Sequence, residues 1–467
     1  MKHKVKKIHF IGIGGVGMSG IAEVLFNLGY QVSGSDMGQS YATDRLQELG
    51  VPVYFGHAAS NVGESDVIVT SSAIPQTNPE IEYGLKQHIP IVPRAQMLAE
   101  LMRFKYGIAI AGTHGKTTTT SLAAEVLKEC GLDPTFIIGG KLATTGSNAK
   151  LGLGEYLVAE ADESDASFLL LNPMTAVITN IDLDHMNTYD HDENKLKQAF
   201  IEFLRRIPFY GRAIVCGEDK RIQEILPQIN RPFYTYGFTA NCDIYADNIE
   251  AHGSTMHFTV HVSWLNFSYP MVVKMPGVHN VLNSLAVIAL ALDCNGRIED
   301  IARGLANFHG VGRRCQHYPP LQYANKTAMV VDDYGHHPVE IRATLAALKN
   351  AYPQKRMVVV FQPHRYTRTR DLFEDFVAVL ASVDYVIVCE VYSAGEKPIA
   401  HADGRSLVRA IRLLGNEHTT FAEDIEDAML KLFNILQNDD LVVTMGAGSI
   451  GKLPGLLAKI HTQVQDK

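Results

Sequence analysis

No apolar run in this 467-residue chain approaches the ~18 residues that a membrane-spanning helix needs, which argues against a role inside a bilayer. Lys2, Lys4, Lys6 and Lys7 precede the apolar stretch Ile8 to Val16, but that stretch is short and glycine-rich and no small-residue cleavage site follows. Export is therefore not expected, and the cytoplasm is the expected compartment. Cysteine is sparse and scattered: Cys130, Cys216, Cys242, Cys294, Cys315 and Cys389 form no C-x-x-C pair and have no histidine at zinc-like spacing. That pattern excludes a disulfide framework and a zinc ribbon, leaving reduced thiols. Positive charge is also in deficit, 42 Lys+Arg against 50 Asp+Glu for a net charge of −8. General nucleic-acid binding is disfavoured, although local basic pockets for anions are not. Internal repeats and low-complexity segments are missing too. A chain with 46% hydrophobic and 20% charged residues has the make-up of a folded soluble protein rather than a disordered one.

What is present is alternation. Strand-like apolar runs alternate with helical patterns almost throughout, which predicts an α/β protein with parallel sheets flanked by helices. The length suggests three domains. We expect a small nucleotide-fold unit at 1–105, a central phosphate-loop domain with a mixed sheet at 106–312, and a third α/β unit at 313–467. Tyr234 to Val273, with short strands and polar turns, reads as antiparallel.

The most informative stretch is Ala111 to Thr118. The apolar run Ile108-Ala109-Ile110 precedes it and a helix-like segment follows. Strand, glycine turn and helix N-terminus present backbone N–H groups to an anion. Gly112, Thr113, His114, Gly115, Lys116, Thr117 and Thr118 therefore read as a nucleotide-binding loop, with Lys116 adding charge and Thr117 offering a hydroxyl to Mg²⁺. Ile110 stands where the general pattern has its first glycine, so only Gly-x-x-Gly-Lys-Thr remains.

A second glycine loop, Gly12 to Gly17, also joins a strand to a helix, and Asp36 ends the next strand nineteen residues after Gly17. Gly14, Gly15, Val16 and Gly17 can approach a diphosphate while Asp36 accepts from a sugar hydroxyl. Nothing in that chemistry requires nicotinamide, and a nucleotide sugar satisfies it equally. Gly446 to Gly451 matches the same fingerprint, but no second strand follows, so it reads as a turn packing the last helix.

Other strand ends carry polar groups. Glu160 closes the apolar run from Tyr156 and is the first candidate for Mg²⁺, whereas Glu163 and Asp165 read as solvated loop residues. Chemistry alone makes His185 a loop histidine, since histidine is an unusual ligand for so hard a cation. His279 and Asn283 lie one helical turn apart, suited either to holding a base or, in the segment His279 to Asn280, to capping a helix. Asp332 to Pro338 and Gln362 to Arg368 follow strands and gather arginine and histidine at one sheet edge, as a carboxylate site requires. Arg370 more plausibly faces solvent. The pair His336-His337 lacks a third ligand at zinc spacing.

Taken together, GIGGVGMSG (12–20), AGTHGKTT (111–118), AEADESD (159–165), DHMNTY (184–189), HNVLN (279–283), Gly312 to Arg314, DDYGHHP (332–338), FQPHRYTR (361–368) and YSAGE (392–396) closely resemble the Mur ligase family, over essentially the whole chain. The resemblance implies a Rossmann-like UDP-sugar domain, a central ATPase and a C-terminal Rossmann-like domain that brings the amino acid. It implies ATP-dependent joining of L-alanine to the lactyl carboxylate of UDP-N-acetylmuramate through an acyl phosphate, the alternative being a recycling ligase that adds a preformed peptide. It makes Lys116 the phosphate lysine, Thr117 and Glu160 ligands of one Mg²⁺ and His185 a ligand of a second, reversing the chemical reading of His185. It also assigns His279 and Asn283 to adenine, Arg314 to the ATP phosphates, and His336, Arg365 and Arg368 to the amino acid or product; Ser72 and Tyr334 complete the substrate-binding set.

Several relatives that add later residues use a carbamylated lysine about fifteen positions after the matched histidine, and here that neighbourhood reads Gln198-Ala199-Phe200-Ile201. The departure favours addition of the first residue. A nicotinamide oxidoreductase would leave the phosphate loop without a purpose, and a nucleotide switch would hydrolyse slowly without regard to an amino acid. No nucleic-acid or membrane partner is expected, and monomer and homodimer both stay open.

Overall fold

The computed structural model describes residues 1, 4–142 and 146–465, with side chains as far as residue 459. Lys2, one of the N-terminal lysines, lies outside them. Among the described residues no helix is long and apolar enough to cross a membrane, and all six cysteines are free.

The first sheet is built from β1 (Lys7–Ile11), β2 (Gln31–Asp36), β3 (Val53–Phe55), β4 (Val67–Thr70) and β5 (Ile91–Pro93), all parallel, in the order β3-β2-β1-β4-β5. Ile8, Phe10 and Ile11 of β1 are fully buried, as a central strand covered on both faces requires. The chain order reverses at β1, so the carboxyl ends of β1 and its neighbours form the crevice in which α/β folds bind ligands. Gly34 keeps this edge closed: a Cβ there would stand 2.6 Å from Ile13 Cδ1 and 2.7 Å from the Phe10 carbonyl oxygen.

Ten strands form the second sheet: β6 (Tyr106–Ala111), β7 (Thr135–Ile137), β8 (Ala149–Lys150), β9 (Tyr156–Glu160), β10 (Thr175–Ile178), β11 (Arg212–Cys216), β12 (Phe233–Gly237), β13 (Ile244–His252), β14 (Thr255–Val262) and β15 (Phe267–Val273). Their order is β15-β14-β13-β12-β11-β10-β6-β9-β7-β8. Parallel pairing of β6 with both β9 and β10 brings three carboxyl ends side by side. The expectation of antiparallel pairing from Tyr234 onward fails at its start, because β12 pairs in parallel with β11 and β13. The cause is a local clasp: Asp243 accepts from the Thr235 N–H (2.7 Å) and hydroxyl (2.8 Å), so the chain resumes its direction after a short loop.

The third sheet contains β16 (Gln316–Tyr323), β17 (Lys326–Asp333), β18 (Met357–Phe361), β19 (Tyr385–Cys389), β20 (Thr419–Ala422) and β21 (Leu441–Met445), ordered β16-β17-β21-β18-β19-β20. Only β16 is antiparallel to its neighbour, and its register slips between Tyr318 and Leu321. Pro319 and Pro320 occupy that slip and have no N–H to give, which suits an edge strand. Buried side chains pack on both faces, with Phe361, Phe376 and Val388 on one and Val360, Ile387 and Leu432 on the other.

The chain forms two compact units, one of residues 1–248, 258–273 and 281–309, the other of 249–257, 274–280 and 310–467. The first two sheets lie mainly in the first unit and the third sheet in the second.

Candidate active site

In the first unit, the loop after β6 turns on Gly112 and Gly115, both at positive φ (126° and 84°), and enters the helix Lys116–Glu129 with no side-chain cap. The first-turn N–H groups are thus left to an anion. The loop is stapled to the end of β10. The Asn180 carbonyl accepts from the Thr113 N–H (3.1 Å) and Asn180 Oδ1 from the His114 N–H (2.9 Å), while the Thr179 hydroxyl donates to the His114 carbonyl (2.6 Å). Asn283 Oδ1 closes the other side, 2.9 Å from where a Cβ on Gly115 would stand.

Lys116 Nζ is folded back onto the loop, donating to the carbonyls of Gly112 (2.7 Å) and Thr113 (3.1 Å) and lying 2.8 Å from Glu163 Oε2. Burial works against its charge, but Glu163 outweighs it and holds the ammonium above the ordinary lysine range. Glu163 itself is pushed up to about 7 by burial, against the pull of Lys116. This overturns the reading of Glu163 as a solvated loop residue. It is 3% exposed, because the backbone turns after Asp162 and Tyr189 donates to the Glu163 carbonyl at 2.5 Å. Asp165 is exposed, as expected.

Glu160, half-buried at the end of β9, accepts from the Thr117 hydroxyl at 3.2 Å and from the Gly139 N–H at 2.6 Å. The two proposed metal ligands are therefore adjacent, and both offer oxygen, the donor a hard cation prefers. His185 follows β10 in a left-handed conformation (φ 55°), with Nε2 3.4 Å from Asp184 Oδ2.

The glycine loop after β1 enters the helix Val16–Asn27, again without a side-chain cap. Asp36 Oδ2 accepts from the Gly14 N–H at 2.9 Å and Oδ1 from the Gly38 N–H at 3.3 Å, so this carboxylate shapes the loop from below. Gly15, Val16 and Ser72 are exposed, and the Val16 carbonyl accepts from Asn148 at 2.6 Å. The sequence reading passed over Arg94, whose Nη1 lies 2.9 Å from where a Cβ on Gly17 would stand and whose Nη2 is 3.4 Å from Asp162 Oδ2. Only a glycine at 17 leaves that guanidinium its place.

In the second unit, the loop Asp332–His337 is shaped by its acids. Asp332 accepts from Arg313 Nε (2.8 Å) and the Thr444 hydroxyl (2.6 Å), and Asp333 accepts from the N–H groups of Cys315 and Gly335 (both 2.8 Å). Tyr334 lies under Arg313 and Arg314, whose guanidinium carbons are 5.1 and 5.3 Å from the ring centre. Half-buried His279 is depressed to about 4 by burial and by Arg314. His336 falls to about 4 through burial, with Arg368 and Arg314 adding to the effect. Its Nδ1 sits 3.2 Å from the Tyr334 carbonyl, which only an N–H can satisfy, so Nε2 is the acceptor. His364, stacked on Tyr392 at 5.4 Å, is likewise held at about 4 by burial and its cationic neighbours.

Arg368 is 8% exposed, inside the short helix Tyr366–Asp371, while Arg365 is half exposed at φ 72° and lies 3.6 Å from Glu396. A non-glycine residue at such φ is strained, a feature that concentrates at functional sites. Arg370 points away and pairs with Asp371 at 2.7 Å, matching the expectation. Gly446 to Gly451 is a packing turn: Ile450 is fully buried and its N–H donates to Gln362 Oε1 at 2.9 Å.

Three sequence profiles match in chain order: "Mur ligase family, catalytic domain" over residues 7–106, "Mur ligase middle domain" over 110–291 and "Mur ligase, glutamate ligase domain" over 313–448. The chain belongs to the Mur ligase family. Within that family it is 57% identical to the UDP-N-acetylmuramate–L-alanine ligase of Neisseria meningitidis serogroup C over 468 residues, 99% of this chain and 100% of the relative. The enzyme of the same name from Chromobacterium violaceum is 58% identical over 457 residues, covering 97% and 98%. Among solved structures, the UDP-N-acetylmuramate-alanine ligase of Thermotoga maritima superposes with a TM-score of 0.83 at 29% identity, over 98% of this chain and 99% of that one. A murein peptide ligase from Psychrobacter arcticus shares the fold with a TM-score of 0.70 at 24% identity, covering 99% of each chain.

Proposed function

We infer that this Mur ligase joins L-alanine to the lactyl carboxylate of UDP-N-acetylmuramate at the expense of ATP, in peptidoglycan synthesis. The observation that carries this is end-to-end similarity to alanine-adding ligases, 57% identity over 99% of the chain. A carboxylate oxygen attacks the γ-phosphorus of ATP, the bond to ADP breaks, and an acyl phosphate forms. The amine of L-alanine then attacks the acyl carbon; the amide C–N bond forms and phosphate leaves.

Both steps bring anions together, so catalysis rests on charge neutralisation and alignment. We assign Lys116 and the loop Gly112–Thr118 to the phosphates of ATP, with Arg314 supporting them and His279 and Asn283 at the adenine. Thr117 and Glu160 would hold one Mg²⁺ and His185 a second; bound there, magnesium supplies positive charge to the phosphates. The UDP-sugar occupies the loop Gly14–Gly17 with Asp36 and Ser72. Arg365 and Arg368 hold the alanine carboxylate, beside Tyr334. His336 is neutral at neutral pH and its Nε2 accepts from the amine, a role that orients the nucleophile; with its proton affinity so low, solvent is the better acceptor of the ammonium proton. The corresponding domains are 1–105, 106–312 and 313–467, working in the cytoplasm.

The test is phosphate release from ATP with magnesium and UDP-N-acetylmuramate, run against each amino acid and against a preformed peptide. Stimulation by L-alanine is expected. Stimulation by the peptide alone would reassign the chain to the recycling reaction, and stimulation by neither would refute both.

A further inference from the structure

Beneath the first glycine loop lies a polar network that the proposed mechanism does not use. Glu80, wholly buried in the helix Pro79–Lys86, accepts from the Ser35 hydroxyl (2.6 Å), Asn61 Nδ2 (2.8 Å) and the Ala58 N–H (3.2 Å), with His9 Nε2 at 3.4 Å. Burial raises its proton affinity, but these partners outweigh that and hold the carboxyl below its ordinary range. Glu80 is therefore a carboxylate, an acceptor only.

The proton positions follow by elimination. Ser35 has one hydroxyl proton and gives it to Glu80. His57 Nδ1, 2.9 Å from the same Ser35 oxygen, must therefore be the donor in that pair. A neutral imidazole protonated at Nδ1 has a bare Nε2, which is a hydrogen-bond acceptor. His57 lies just past β3, and the Gly56 N–H donates to the Asp36 carbonyl at 2.8 Å. The ring is thus at the same carboxyl edge as Asp36 and the glycine loop, with 13% of its side chain exposed.

We propose that His57 is a nucleoside-binding residue, its Nε2 accepting a hydrogen bond from an O–H or N–H donor of the UDP-sugar, in a tautomer set by the Ser35–Glu80 relay. Within the nucleoside the donors of that chemistry are the two ribose hydroxyls and the uracil imide N–H. The inference rests on the UDP-sugar reading of this loop.

The test measures dissociation constants for UDP-N-acetylmuramate by calorimetry. His57→Asn keeps a donor toward Ser35 but has nothing at the Nε2 position, whereas the longer amide of His57→Gln can return an oxygen to it. Loss of one neutral hydrogen bond is worth roughly five- to tenfold in affinity. His57→Asn should weaken binding by that factor, His57→Gln should recover most of it, and the dissociation constant for ATP should not move. Two analogues identify the donor: a 2′,3′-dideoxyribosyl form and a form methylated at uracil N3. One of them should bind the wild type five- to tenfold more weakly yet bind His57→Asn as well as the parent ligand does. Wild-type affinity in His57→Asn, or an analogue penalty that persists in it for both forms, overturns this inference alone. A wild type that binds no UDP-N-acetylmuramate overturns the UDP-sugar reading and this inference together.

Discussion

Lys116 Nζ and Glu163 Oε2 lie 2.8 Å apart, in a pocket that leaves Glu163 3% exposed. The lysine that the proposed mechanism turns toward ATP is held by a countercharge in the loop that follows the neighbouring strand. Removing one partner of such a pair strands the other and costs about 3 kcal/mol. Glu163→Gln should lower stability by that order in denaturant titration. It should also lower the proton affinity of Lys116, so that kcat/KM for ATP begins to fall at a lower pH on its basic limb. A basic limb unchanged from wild type would show that Glu163 does not set the lysine's charge. Lys116→Ala should reduce kcat at least ~10²-fold, the loss typical when a charge-stabilising donor is removed.

Gly14 has no room for a side chain. A Cβ there would stand 2.9 Å from both Asp36 Oδ2 and Thr43 Cγ2. Gly14→Ala should push Asp36 off the Gly14 N–H and raise KM for UDP-N-acetylmuramate about tenfold while leaving KM for ATP in place. Steady-state kinetics with each substrate varied in turn would decide; equal rises in both constants would point to general misfolding.

Glu160 and Thr117 are already hydrogen-bonded at 3.2 Å. Glu160→Gln removes the negative charge and leaves one neutral carbonyl oxygen in place of two carboxylate oxygens, so the magnesium concentration for half-maximal rate should rise about tenfold, and a chelator should abolish turnover of the wild type. Magnesium titration of phosphate release reads this directly.

Arg368 is buried and donates from Nη1 to the His364 carbonyl at 3.4 Å, whereas Arg370 is exposed and pairs with Asp371 at 2.7 Å. A hydrogen bond to a charged partner is worth about 1.5–3 kcal/mol. Arg368→Ala should therefore raise KM for L-alanine by about 10- to 100-fold, and Arg370→Ala should leave it unchanged. Equal effects of the two would remove the basis for distinguishing them.

His279, His336 and His364 are each held at about 4, chiefly by burial. Between pH 6.5 and 4 the unfolded chain binds protons at these sites that the folded chain refuses, so folding stability rises with pH across that window and is lost as pH falls through it. Thermal melts should show Tm dropping between pH 6.5 and 4. His364→Phe, which keeps a ring on Tyr392, should flatten the drop; an unchanged slope would exclude His364 as a contributor.

Local pattern was enough for much of this. Glycine spacing announces both strand-to-helix loops because positive φ and close backbone approach are properties of a few consecutive residues. Apolar runs announce β6, β9 and the central strands of the third sheet, but not β20, which is four residues long, or β16, where Pro319 and Pro320 interrupt the pattern. Glu160 was legible because it ends a strand. Glu163, three residues on, was not, because its burial depends on Tyr189 and Lys116 from other segments.

The sequence by itself determined the chemistry on offer: two glycine loops each joining a strand to a helix, one of them carrying a lysine and a threonine, carboxylates at strand ends and a cationic cluster in the last third of the chain, in the order that marks the Mur ligase family. Only the tertiary structure decided which of those groups are charged and which face one another. Lys116 keeps its proton because Glu163 is folded against it, His336 stays neutral because it is buried near Arg368 and Arg314, and His57 is locked in one tautomer because Ser35 and Glu80 meet it from other parts of the chain. Proton affinity and hydrogen-bond direction depend on burial and on partners distant in sequence, and no local pattern records either.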